Sequence, residues 1–179
     1  MAVMAGLVIL TATAGCGYHL VGTTTTLPDE LRLLHLEPFK NQSNHADIAQ
    51  RLDEAVAHEW VRRGRFQQVD DPAGADVALR GVITRLSVAP VTFDERGRAT
   101  EYQMTLQAEV RFFDVRGEEP ELLWEDTGFS RRTSYQVDVS AVDYFDRQIE
   151  AMDELSQEFA RALVTAVLGT TRDEQIVDG

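Results

Sequence analysis

Apolar and polar residues alternate most regularly between Tyr102 and Phe112. Tyr102, Met104, Leu106, Ala108, Val110 and Phe112 interleave there with Gln103, Thr105, Gln107, Glu109 and Arg111. A period of two puts the first set on one face, so the stretch predicts an antiparallel strand with one dry and one wet face. Tyr102, Leu106 and Val110 are expected to face whatever covers the sheet. Val77 to Val88 predicts a second strand in which Val77 and Leu79 fall on one parity and Val82, Leu86 and Val88 on the other. That change, around Gly81, calls for a bulge or a close backbone approach. Leu122 to about Thr133, carrying Trp124 and Phe129, predicts a third strand, with an irregularity at Gly128. Pro90 to Ala99, with the charged tip Asp94-Glu95-Arg96-Gly97-Arg98, and Arg116 to Pro120 are the expected turns. Leu31 to Phe39 has apolar residues on both parities and predicts a strand covered on both faces or a central one.

Two segments change period. Ile48, Leu52, Val56 and Trp60 recur every four residues until Gly64, predicting a helix whose N-cap is Asn44, with Asp47 near the positive helix end. Val142, Phe145, Ile149, Met152, Phe159, Leu163 and Ala166 keep steps of three and four, with Leu155 filling the gap at Ser156. They predict a helix from about Val142 to Leu168, about 40 Å long, started by Ser140 with Asp143 and stopped by Gly169. Arg65 to Val69 is ambiguous and reads as an edge strand at most. The order strand, helix, strands, helix predicts an α+β two-layer domain. Two amphipathic helices are expected on one face of a small mixed, largely antiparallel four-stranded sheet.

The chain's N-terminal pattern differs from the rest. Ala2 to Gly15 has no charged side chain, and as a helix would reach only about 21 Å, short of the ~30 Å hydrocarbon core. A cleaved leader fits better than a spanning anchor. Thr13-Ala14-Gly15-Cys16 resembles a bacterial lipobox, with Thr13 where leucine is most common, and Cys16 is the only cysteine. Cys16 is therefore the expected lipid attachment site; the alternative is a secretory leader that happens to end at a cysteine. Gly17 rather than Asp follows it, which points to the periplasmic side of the outer membrane. The expected organisation is residues 1–15 as signal peptide, 16–30 as lipid-anchored tether, 31–169 as one domain and 170–179 as a disordered tail. Extended, the tether from Cys16 to Leu31 spans at most about 50 Å.

Charge narrows the partners. Thirty Asp and Glu against seventeen Lys and Arg give a net charge of -13, which argues against nucleic acid. His19, His35, His45 and His58 are scattered, with no metal-ligand spacing and no second cysteine. There is no glycine-rich phosphate loop, no nucleophile elbow, and no carboxylate pair that spacing singles out for glycoside hydrolysis. No catalytic residue, metal or cofactor is expected. The arginines form groups: Arg62, Arg63 and Arg65 close the first helix, Arg96 and Arg98 sit on a turn, and Arg131 and Arg132 lie late in a strand. The helix dipole accounts for the first group. Arg96 and Arg98 are either a site for phosphorylated glycolipid or ordinary solvated turn residues.

Cys16-Gly17-Tyr18-His19-Leu20, Leu27-Pro28, Phe39-Lys40-Asn41, Ala75-Asp76-Val77-Ala78-Leu79-Arg80-Gly81 and Glu101-Tyr102-Gln103-Met104 occur in that order, followed by the long final helix. Together they resemble the LptE family of lipopolysaccharide-assembly lipoproteins across nearly all of the mature chain. The resemblance implies a noncatalytic subunit of the lipopolysaccharide translocon, one-to-one with the β-barrel protein LptD and seated in its lumen. Such a subunit assists barrel assembly and the delivery of lipopolysaccharide. It also implies lipopolysaccharide contacts from basic loop residues, for which Arg96 and Arg98 are the corresponding positions. The competing reading from the residues is a periplasm-facing lipoprotein regulating a cell-wall synthase or other envelope enzyme. The short tether disfavours it.

Overall fold

The computed structural model describes residues 27–137 and 144–169. In chain order its elements are strands β1 (Leu33–Leu36) and β2 (Lys40–Asn41), helix α1 (Ile48–Arg63), strands β3 (Gln67–Gln68), β4 (Val77–Phe93), β5 (Ala99–Asp114) and β6 (Glu121–Gln136), and helix α2 (Tyr144–Gly169). They form a single sheet in the order β3-β1-β4-β5-β6, with β2 also on β4. β1, β2 and β3 pair in parallel, whereas β4, β5 and β6 form antiparallel hairpins. The class and layers are as the sequence predicts, but the sheet has six strands rather than four.

The extra strands have local causes. Leu36 pairs with Leu79 but Lys40 pairs with Val82, so one surplus residue between them splits the expected strand Leu31–Phe39 into β1 and β2. Pro38, which has no N–H to give a ladder, lies in the gap. Gln67 and Gln68 form the parallel edge that the sequence left ambiguous. The turn expected over Pro90–Ala99 is also narrower. β4 and β5 stay paired up to Phe93 and Ala99, with register shifts around Val91, so only Asp94–Arg98 turns. Pro90 is tolerated because, among the described residues, the outer half of β4 has no neighbour on its other side. The parity change assigned to Gly81 belongs to Thr84, where β4 carries an extra residue opposite Ala108 and Gln107. The irregularity at Gly128 is present, with an extra residue between Asp126 and Phe129.

Both helices pack on the dry face. Ile48, Leu52, Val56 and Trp60 of α1 are buried, as are Met104, Leu106, Ala108, Val110 and Phe112 of β5. Tyr102 stacks on buried Tyr135 on the same face, so the expected orientation of β5 holds. α2 contributes Met152, Leu155, Phe159, Leu163 and Val167. Ile149, expected among them, is 43% exposed. Ser156 is buried instead, its hydroxyl donating to the Met152 carbonyl at 2.8 Å, because a small side chain lets the two helices approach. Arg51 to Asp153, and Arg63 Nη2 to Thr165 Oγ1 at 2.6 Å, tie the helices together. The predicted Asn44 cap is absent: Asp47 precedes the helix without a side-chain cap, while Asn41 organises the loop through the His45 carbonyl and the Ser43 N–H. Ser140 and Asp143 lie outside the described residues.

Glu59 is a buried carboxylate, 4% exposed, bonded to Arg62 at 2.6 and 2.7 Å and to Arg63 at 2.8 Å. The Arg62 hydrogen bonds hold its pKa below the ordinary value despite burial. A depressed folded-state pKa gives stability that is present above the unfolded value of about 4.3 and lost as pH falls through the folded value. Glu59→Gln should therefore cost about 1–2 kcal/mol at pH 7, a modest figure because both guanidiniums stay partly hydrated. Urea denaturation at several pH values should show the two proteins converging as the pH falls below the ordinary carboxylate range. A pH-independent difference would show that the carboxylate charge is not what matters.

Candidate functional site

The β4–β5 hairpin and the N-terminal entry of the domain lie at opposite poles. Leu27 and Leu31 are buried at the end where β5 stops. Arg65 fixes this entry, donating to the Leu31 carbonyl at 2.7 Å and the Pro28 carbonyl at 3.0 Å, while Glu30 reaches Arg116 at 3.7 Å. Arg65 is thus more than a helix-dipole partner; a local sequence pattern has no means of showing a contact 34 residues away. From there β4 runs 17 residues to the opposite pole, roughly 50 Å at about 3.3 Å per residue.

At the far pole the tip is built around Asp94. Its Oδ1 accepts the N–H groups of Arg96 and Arg98, both at 2.9 Å, and Gly97 takes φ 75°, which a side chain would oppose. The Arg98 guanidinium returns to Asp94 at 2.8 Å. The Arg98 N–H and that guanidinium hold the Asp94 pKa below its ordinary value. The two turn arginines therefore differ. Arg98 is spent on shaping the tip, whereas the exposed Arg96 side chain has no ion pair among the described residues. Val91 and Phe93 stand exposed just before the tip, 46% and 56%, a feature the expected turn over Pro90–Ala99 had hidden. A cleft of about 800 Å³ beside them is lined by Thr92, Glu101, Tyr135, Arg147, Glu150 and Glu154, among others. Arg147 is paired with Glu150 at 3.2 Å.

The other singled-out residues disperse. Arg62 and Arg63 serve Glu59, and Arg131 lies over the Phe129 ring at 4.6 Å. Nδ1 of His35 sits 3.1 Å from the Val69 carbonyl, and among the described residues no three His, Cys, Asp or Glu side chains could hold a metal ion. Nor is any described helix long and apolar enough to cross a membrane. Cys16 lies outside the described residues.

The family model described as lipopolysaccharide-assembly LptE matches residues 31–167, nearly all of the two-layer body. The chain belongs to the LptE family. It is 37% identical over 108 residues to the LPS-assembly lipoprotein LptE of Pectobacterium atrosepticum, an alignment covering 59% of this chain and 53% of that protein. The match thus spans about half the length of that LptE. Among solved structures, the fold is similar to the rare lipoprotein B of Shewanella oneidensis, at 18% identity and TM-score 0.52, covering 78% of this chain and 96% of that one. It is also similar to a hypothetical protein of Chlamydia trachomatis, at 11% identity and TM-score 0.56, covering 79% and 98%. At these identities the likeness is one of fold.

Proposed function

We propose that this LptE-family protein is a noncatalytic outer-membrane lipoprotein subunit of the lipopolysaccharide translocon. Acylated at Cys16 and facing the periplasm, it plugs and helps assemble the β-barrel protein LptD in a one-to-one complex and aids delivery of lipopolysaccharide to the outer leaflet. The family match over nearly all of the folded body carries this reading. A domain whose entry is pinned by Arg65 and whose tip stands at the opposite pole is suited to spanning a lumen from its anchored end. Arg96 is the tip residue free to meet a lipopolysaccharide phosphate, and Arg98 positions it.

The test is purification from detergent-solubilised membranes through a C-terminal tag, together with depletion of the gene. A stoichiometric large β-barrel partner, and loss of that barrel and of surface lipopolysaccharide on depletion, are expected. Recovery with a cell-wall synthase, or normal barrel abundance after depletion, would overturn the proposal. In the same system Arg96→Ala should weaken lipopolysaccharide binding severalfold without changing the melting temperature, and Arg98→Ala should loosen the tip.

A further inference from the structure

The helices cover one face of the sheet, and among the described residues nothing covers the other face along the outer halves of β4, β5 and β6. There Arg85 pairs with Gln107, which pairs with Ser130; two residues along, Ser87 pairs with Thr105, which pairs with Arg132. Residues directly opposite across a ladder, and two apart along a strand, point the same way, so these six share the uncovered face. Arg85, Ser87, Gln107 and Arg132 are exposed, and Thr105 and Ser130 are partly so.

The arginines of this face fall into two kinds. Nearer the N-terminal entry, Arg80 is paired with Glu37 at 2.6 Å, and Arg111 with Glu125 at 3.3 Å and Glu109 at 3.6 Å. The side chains of Arg85 and Arg132 have no hydrogen bond and no carboxylate partner among the described residues, and neither of their two rungs contains an acid. In a chain of net charge -13 this is a local reversal of sign. Two strand spacings of about 4.8 Å and one two-residue repeat of about 6.8 Å put the two Cα atoms roughly 12 Å apart. Their long side chains can converge on one ligand, over a floor of hydroxyl and amide groups.

We propose that this face binds the phosphorylated saccharide portion of lipopolysaccharide, an inference that rests on the lipopolysaccharide reading above. Arg85 and Arg132 each clamp a phosphate or a sugar-acid carboxylate through paired N–H donors, and Gln107, Thr105, Ser87 and Ser130 exchange hydrogen bonds with sugar hydroxyls. The alternatives fit less well. These rungs offer no apolar side chain against which an acyl chain could be buried. A two-fold contact with a second copy would set arginine against arginine, and a nucleic acid would meet the surrounding negative field.

The experiment is calorimetric titration of the full-length protein in detergent with deacylated, phosphorylated lipopolysaccharide saccharide, and with the same saccharide after dephosphorylation. Arg85→Gln/Arg132→Gln should bind the phosphorylated form at least about ten-fold more weakly and lose most of its discrimination against the dephosphorylated one. The charge-matched control Arg32→Gln/Arg161→Gln, away from this face, should stay within about two-fold of the parent. All four side chains are exposed or at the surface of the fold, so unchanged melting temperatures should accompany these results. Equal binding by the Arg85/Arg132 variant, equal loss in the control, or no saccharide binding by the parent protein would each overturn the proposal. The barrel-abundance experiment reads the functional assignment separately, and that assignment can stand with this face empty.

Discussion

Gly81→Ala is expected to destabilise the protein by about 3 kcal/mol, although alanine normally stabilises a strand relative to glycine. A Cβ built on Gly81 would lie 2.1 Å from the nearest atom of the Phe39 ring, with two more ring atoms at 2.3 and 2.7 Å. The ring is not free to leave. Phe39 is 6% exposed, and its N–H donates to Asp53 Oδ1 at 2.9 Å, fixing the surplus residue between β1 and β2 against α1. Burial pushes the Asp53 carboxyl above its ordinary pKa, while the Phe39 N–H pulls it down. Gly81 does not have the positive φ seen at Gly64 and Gly97, so the demand is for space and not for backbone freedom. Urea denaturation should show the loss in the midpoint. In a Phe39→Ala background the same substitution should cost far less, with a coupling of about 1–3 kcal/mol. Additive effects would show that the Phe39 ring does not rest on Gly81.

Trp60→Ala should cost about 3–5 kcal/mol and lower the melting temperature by roughly 10 °C or more. Trp60 is 0% exposed and stacks on Phe112, with ring centroids 6.0 Å apart, while Phe66 meets it edge-on at 5.5 Å. Phe66 also meets Phe112 at 5.9 Å. This triad joins α1, β5 and the segment after α1 near the N-terminal entry, so its loss would undermine the entry that Arg65 pins. The indole Nε1 is buried without a hydrogen-bond partner among the described residues, which sharpens the prediction. Trp60→Phe removes that unsatisfied donor and keeps most of the ring contact, so it should cost much less than Trp60→Ala. Equal losses from both, measured by differential scanning calorimetry, would show that the indole's second ring carries the packing.

Legibility followed the range of the interactions. β5 was readable because one repeated contrast, apolar against polar, matches one surface against the helices. α1 was readable because Ile48, Leu52, Val56 and Trp60 bury a single stripe before the left-handed Gly64 stops the helix. Boundaries failed where a distant partner decides them. β4 outlasts Pro90 because β5 continues to pair with it, β1 and β2 separate because α1 claims Phe39, and Ser156 is buried because α1 comes close to α2. The candidate site divides in the same way. The sequence singled out Arg96 and Arg98 together, and only the Asp94 turn separates a free guanidinium from a tethered one.

The sequence by itself determined the class of the fold, the two amphipathic helices, the orientation of β5 and the family. Each is encoded in the chemistry of near neighbours or in an ordered set of short motifs. The tertiary structure alone decided that six strands rather than four form the sheet, that Arg65 holds the entry and that Arg85 and Arg132 share one open face. Those facts depend on register, since pairing 20 to 50 positions apart determines which charges are neutralised and which are left to solvent.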